Sequence, residues 1–156
     1  MFGLFKRKLR EVVSPVDGQV VDIGEVDDEV FSKKMVGDGV AVRPVGDTFC
    51  APIDGVVSKI FSTNHAFTIS GDKDLEVMVH IGLETVALEG KGFERLAEEG
   101  VKVKAGDPII KVDLPYISAH AKDTVTPIII AEESDVRSIE KHPGIVKQGD
   151  IVMEVH

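Results

Sequence analysis

The chain has 156 residues, 43% hydrophobic and 29% charged, with one cysteine and a net charge of −9. A chain of this size can bury a core without disulfides or structural metal, and no apolar run reaches the ~20 residues that span a bilayer. Cys50 has no partner for an internal disulfide, so a cytoplasmic setting is expected, with Cys50 as a small buried apolar residue.

The charge is uneven. Lys6, Arg7, Lys8 and Arg10 put four positive charges and no acid into the first ten residues, leaving −13 on the remainder. So acidic a body excludes nucleic acid as a natural partner and favours brief encounters with cationic protein surfaces. In residues 1–10, Phe2, Phe5 and Leu9 recur at helical spacing while Lys6, Arg7 and Arg10 lie largely elsewhere around the axis. This segment is expected to be a basic amphipathic or disordered leader, whose weak contact with anionic lipid would hold the protein peripherally at the inner membrane face. Residues 11–156 are expected to form a single domain.

Beyond the leader, short stretches rich in valine and isoleucine recur between glycine-marked turns, at residues 18–24, 39–43, 55–61, 75–81, 109–113, 125–131 and 151–155. They are too short for ordinary helices, and with 15 glycines and 7 prolines they predict an all-β sandwich or barrel. Helix is a minor component: residues 93–99, closed by Gly100, form the best candidate, with 115–122 and 134–140 less sharply marked. Two internal echoes stand out. Pro15-Val-Asp-Gly-Gln-Val20 recurs as Pro52-Ile-Asp-Gly-Val-Val57, and Lys104-Ala-Gly-Asp-Pro-Ile109 as Lys147-Gln-Gly-Asp-Ile-Val152. Each unit reads as a turn delivering a strand, as in a pseudo-symmetric sandwich of interlocking hairpins.

Two of the five histidines, His65 and His80, fall inside strongly patterned β sequence. In residues 75–81, alternation puts Leu75, Val77, Val79 and Ile81 on the core face, and Glu76, Met78 and His80 on the other. The turn material Ser70-Gly-Asp-Lys-Asp74 separates this strand from residues 63–69 and predicts a hairpin. An even-numbered loop centred between Asp72 and Lys73 places Ile69 opposite Glu76, Phe67 opposite Met78, His65 opposite His80, and Thr63 opposite Gly82. Directly opposed side chains have Cβ atoms about 4.5–5.5 Å apart, close enough for two imidazoles to share one small ligand. An odd-length loop would shift the register by one and send the histidines to opposite faces. Two neutral imidazoles with a threonine hydroxyl suit phosphoryl transfer through a covalent phosphohistidine: one ring nitrogen attacks phosphorus while the other groups hydrogen-bond the phosphoryl oxygens.

The stretches Thr63-Asn-His-Ala-Phe67 and Val79-His-Ile-Gly-Leu-Glu-Thr-Val86 closely resemble the signature segments of glucose-family enzyme IIA proteins of the bacterial sugar phosphotransferase system. Residues 36–42, 51–56, 91–95 and 106–114 also read like that family, so the resemblance covers nearly everything after about residue 11. It implies an antiparallel β-sandwich with a few short helical turns. It implies that His80 accepts phosphate through Nε2 from the histidine-containing phosphocarrier protein and passes it to a IIB domain of a sugar permease, often with regulatory targets besides. His65 becomes the phosphoryl's hydrogen-bond partner, Thr63 the assisting hydroxyl, and Gly82 the backbone position that orients His80. Asp28 and Glu84 fall at rim acids. Val30, Phe31, Val36, Phe61, Met78 and Val86 resemble the apolar docking collar. No cofactor is required, although the resemblance allows an intermolecular zinc at His65 and His80 if a partner supplies a carboxylate.

Three other functions compete. A zinc hydrolase needs at least three protein ligands, where His65 and His80 supply two. A swinging-arm carrier needs a modified lysine on a hairpin tip, which Lys33-Lys34-Met35 imitates weakly. A catalytically silent regulatory module would have no use for both histidines and the threonine. His120, His142 and His156 lie in turn-like or terminal sequence and are expected to be solvated.

Overall fold

The computed structural model describes residues 10–72 and 74–156. The expected leader thus falls outside the described residues except for Arg10, which opens the first strand. Fourteen strands follow in chain order among the described residues: β1 Arg10–Val13, β2 Gly18–Asp22, β3 Gly37–Pro44, β4 Thr48–Cys50, β5 Gly55–Ile60, β6 Ala66–Ser70, β7 Glu76–His80, β8 Phe93–Arg95, β9 Lys102–Val103, β10 Pro108–Val112, β11 Thr126–Ala131, β12 Ile139–Lys141, β13 Gly144–Val146 and β14 Ile151–Val155. Two short helices, α1 Glu29–Ser32 and α2 Leu114–His120, accompany them. No helix among the described residues is long and apolar enough to cross a membrane.

An antiparallel eight-stranded sheet runs in the order β13-β2-β3-β11-β7-β6-β5-β9, and two three-stranded sheets, β1-β14-β12 and β4-β10-β8, complete the sandwich. The near-continuous apolar run of β11 has a structural reason: this central strand is buried on both faces. Ile128 and Ile130 join Val77, Val79, Phe49 and Ile110 in the main core, while Ile129 faces a second, smaller cluster with Ile23, Phe31, Ala41 and Leu83. Cys50 is buried as expected, and burial followed by the nearby carboxylates of Asp107 and Asp17 raises its thiol pKa.

The sequence echoes are an internal two-fold in three dimensions. Gly18 and Gly55 each start a strand, and a Cβ at either would lie 2.2 Å from a neighbouring carbonyl, that of Arg43 or Ser70 respectively. The Gly-Asp turns match as well: the Lys104 amide donates to Asp107 Oδ2 at 2.9 Å and the Lys147 amide to Asp150 Oδ2 at 2.8 Å. The repeats then interlock. Val13 N–H donates to the Pro52 carbonyl and Cys50 N–H to that of Pro15, both at 2.9 Å. Asp54 Oδ1 accepts from the Ala105 amide at 2.8 Å, and Asp17 Oδ1 from the Gln148 amide at 2.7 Å.

Helix expectations fare unevenly. Leu114–His120 is a helix, with Asp113 accepting from the Tyr116 amide at 3.1 Å at its start. Residues 93–99 are not: Phe93, Glu94 and Arg95 pair with Val112, Lys111 and Ile110. A seven-residue helix is marginal in water, and the sheet offers the same backbone groups long-range partners. Residues 134–140 also fail to form a helix. The amides of Arg137 and Ser138 are taken by the His156 carbonyl, and Ile139 and Glu140 pair with Val155 and Glu154. The one-turn helix α1, too short to show periodicity, was not expected.

Gly18→Ala and Gly55→Ala are each expected to lower the unfolding free energy by about 1–3 kcal/mol, measured by urea titration, because backbone must move to admit the methyl group. Gly24→Ala, whose Cβ would meet only an Asp22 carboxylate oxygen at 3.4 Å, should change it by less than about 0.5 kcal/mol.

Candidate active site

The β6–β7 hairpin pairs Ser70 with Glu76, Ile69 with Val77, Phe67 with Val79 and Ala66 with His80. Its connection, residues 71–75, is odd-numbered, so the expected register is off by one and neither His65 opposite His80 nor Thr63 opposite Gly82 is found. The two histidines nevertheless meet, because β6 begins only at Ala66. Before it, Asn64 adopts a left-handed φ of 61° and its amide closes a turn onto the Phe61 carbonyl at 2.7 Å. Alternation therefore stops short of His65, while the Ile81 amide still donates to its carbonyl at 2.7 Å. The imidazole centroids of His65 and His80 stand 4.9 Å apart with their planes at 79°.

Each ring is held by one polar partner. His80 Nδ1 lies 2.8 Å from the Gly82 carbonyl; a carbonyl only accepts, so Nδ1 carries the proton and Nε2 keeps its lone pair. Gly82 can turn its carbonyl back because its φ is 77°, and a Cβ there would meet Thr85 Cγ2 at 2.7 Å and the Asp123 carbonyl at 2.8 Å. His65 Nδ1 lies 2.5 Å from Thr63 Oγ1. Aromatic rings flank the pair, Phe31 at 5.0 Å from His80 and Phe61 at 5.4 Å from His65.

The surroundings keep both imidazoles uncharged. His65, only 4% exposed, has its pKa lowered to about 4, first by burial and then by His80. Burial also lowers the pKa of half-buried His80, opposed by the Gly82 hydrogen bond and by the negative field of Asp28. Asp28 also caps α1, its Oδ1 accepting from the Val30 amide at 2.9 Å. The sequence expectation puts Asp28 on the rim without either role; since α1 is too short to be read from periodicity, its cap is not legible either. Glu84 is exposed, with a left-handed φ of 58°.

The collar residues divide. Val30, Val36 and Val86 are exposed, Phe61 and Met78 half-buried, and Phe31 is buried in the second core cluster, beneath His80 rather than available for docking. Met78 packs partly against the same cluster and pairs with Thr68. Of the remaining histidines, His120 and His156 are exposed as expected, whereas His142 is half-buried. His120 ends α2 stacked on Tyr116 at 4.2 Å, and His142 Nε2 lies 2.8 Å from Glu154 Oε1, with Glu140 also near.

Residues 10–136 match the family model of the phosphoenolpyruvate-dependent sugar phosphotransferase system, EIIA 1. The chain is 46% identical over 143 residues to the PTS system glucose-specific EIIA component of Haemophilus influenzae, covering 92% of this chain and 86% of that protein. It is 46% identical over 145 residues to the PTS system N-acetylglucosamine-specific EIICBA component of Escherichia coli, covering 92% of this chain and 22% of that protein. Among solved structures it resembles the glucose permease IIA from Mycoplasma capricolum with a TM-score of 0.91 at 38% identity, covering 95% of this chain and 96% of that one.

The depressed pKa of His65 fixes the sign of a pH effect. The unfolded chain takes up a proton below its ordinary value of 6.5, which the folded site refuses until about pH 4. The contribution to stability is therefore full above pH 6.5 and is lost as the pH falls from there toward 4. The unfolding free energy should decline by up to about 1.4 kcal/mol per pH unit for this group. In urea titrations at several pH values, His65→Gln should show a shallower decline across that window.

Proposed function

The chain belongs to the EIIA 1 family of the phosphoenolpyruvate-dependent sugar phosphotransferase system, and we propose that it is a phosphocarrier: it accepts a phosphoryl group on His80 from the histidine-containing phosphocarrier protein and passes it to a IIB domain of a sugar permease. The observation that carries this reading is the bond between His80 Nδ1 and the Gly82 carbonyl, which leaves Nε2 bare beside a second imidazole.

In the first step the Nε2 lone pair of His80 forms the new N–P bond as the donor's P–N bond breaks, and that electron pair returns to the donor imidazole. Burial keeps Nε2 unprotonated and so nucleophilic. The Thr63 hydroxyl donates to His65 Nδ1, which places the proton of His65 on Nε2, where it donates to a phosphoryl oxygen. Once the phosphoryl is attached, its negative charge favours protonation of His65, so an imidazole neutral in the resting protein becomes a stronger donor when it is needed. In the second step the same N–P bond breaks toward the IIB acceptor and its electron pair returns to His80.

Exposed Val30, Val36 and Val86 with half-buried Phe61 and Met78 suit an apolar docking collar that keeps water from the labile bond, and Asp28 and Glu84 suit a basic partner. The equal 46% identity to relatives named for glucose and for N-acetylglucosamine fits a unit that carries phosphate without touching the sugar. The EIICBA name of the Escherichia coli relative joins EIIC, EIIB and EIIA in one protein, which supports a IIB domain as acceptor.

His80→Gln should take up no acid-labile phosphate from the phosphorylated carrier. His65→Gln should still be phosphorylated but transfer to IIB roughly 100-fold more slowly, the scale of losing one preorganised donor. Phosphopeptide mapping under non-acidic conditions locates the group, and phosphate found on His65 would overturn the assignment.

A further inference from the structure

Arg95 closes β8 and reaches across to the turn that presents His65. Its Nε donates to Asn64 Oδ1 at 2.6 Å and its Nη2 to the Phe61 carbonyl at 3.5 Å, while Nη1 stands 3.8 Å from the exposed Glu98 carboxylate. Asn64 holds a left-handed φ of 61°, a region asparagine enters more readily than most L-residues, and its own amide points to the same Phe61 carbonyl. One guanidinium thus grips both ends of the turn, through the Asn64 side chain and the Phe61 backbone. Asn64 lies between Thr63 and His65, the two residues joined at 2.5 Å, and the Phe61 ring lies against His65.

We infer that Arg95 is a positioning residue for His65: by fixing the left-handed Asn64 it holds the Thr63–His65 pair where the second imidazole can meet a group on His80. The inference rests on the proposed phosphocarrier reading for its consequence, but not for its geometry. Arginine is required rather than any cation, because Nε and Nη2 of one planar fork must reach two acceptors together; a lysine ammonium offers a single point. The effect should fall on transfer out of the phosphorylated protein, the step assigned to His65. Recognition of partners at the collar should be untouched.

The test compares Arg95→Lys, Arg95→Ala, Asn64→Gly, which keeps the turn's φ but removes the acceptor, and the Arg95→Ala/Asn64→Gly double variant. In each, the ring-proton NMR titration of His65 is followed in the unphosphorylated protein, and kcat and KM are measured for transfer to IIB. Both Arg95 variants are expected to lower kcat roughly 10- to 100-fold with KM unchanged, the scale of a misplaced catalytic group. They should also move the His65 titration up toward its ordinary range as burial loosens. The double variant should go no further than Arg95→Ala alone, since both changes remove one contact. Thermal destabilisation with an unmoved His65 titration would overturn the inference, as would additive effects in the double variant. The titration involves no phosphate, so if His80 proves not to accept phosphate the phosphocarrier reading fails while the role of Arg95 is still decided by the titration and its cycle.

Discussion

Two aspartates, Asp17 and Asp54, tie the two halves of the sandwich together. Each belongs to one copy of a Pro-x-Asp-Gly turn and accepts a backbone amide from the loop of a Gly-Asp turn distant in sequence. Around them Val13 and Cys50 exchange hydrogen bonds with the carbonyls of Pro52 and Pro15. Because the crossing is reciprocal, neither half can shift without straining the other. Strands β2 and β5 are delivered at fixed places, and the β5-β6-β7 wall is set with them. Small side chains make the approach possible: Gly18 and Gly55 leave room for carbonyls that any Cβ would strike.

That wall supports the chemistry through β11. Its two buried faces separate the main core from the smaller cluster holding Phe31 and part of Met78. The smaller cluster is a platform under His80, whose ring rests on packed hydrocarbon on one side and faces His65 on the other. Desolvation and hydrogen bonding act in opposite senses on His80. Burial disfavours its charged form, while the Gly82 carbonyl and Asp28 favour it. His65 has no such compensation: burial and then His80 both act to lower its pKa. The two rings thus differ in their surroundings, which fits the proposed division of roles, one ring to bond phosphorus and one to hydrogen-bond the phosphoryl.

The β architecture was legible because its strands are dense in valine and isoleucine and bounded by glycine turns, and the echoes at Pro15 and Pro52 announced the two-fold. Residues 93–99 misled because a short amphipathic stretch followed by glycine satisfies helix signals locally, while β10, which claims its backbone, lies more than a dozen residues away. The hairpin register was not legible: whether residues 71–75 form an odd or even connection depends on how Gly71 and Leu75 pair, which composition does not reveal. The two histidines came together for a different reason than expected, the end of β6 at Ala66 and the turn at Asn64. Phe31 shows a further limit of pattern reading. An apolar residue near a site looks the same in sequence whether it greets a partner or, as here, lies beneath a site histidine.

The pairing of β1 with β14 has a consequence for how such a unit is used. Arg10 lies opposite Val155, so the chain enters and leaves the sandwich on adjacent strands, which in a sheet lie about 4.8 Å apart. The His65–His80 hairpin belongs to a different sheet, flanked by β11 and β5. Tethers attached at either end therefore pull on a seam in a different sheet from the histidine pair. Free or appended to a larger polypeptide, as in the EIICBA relative, the unit can keep the same pairing of its imidazoles, with the linker acting as a leash whose length sets how far it can reach.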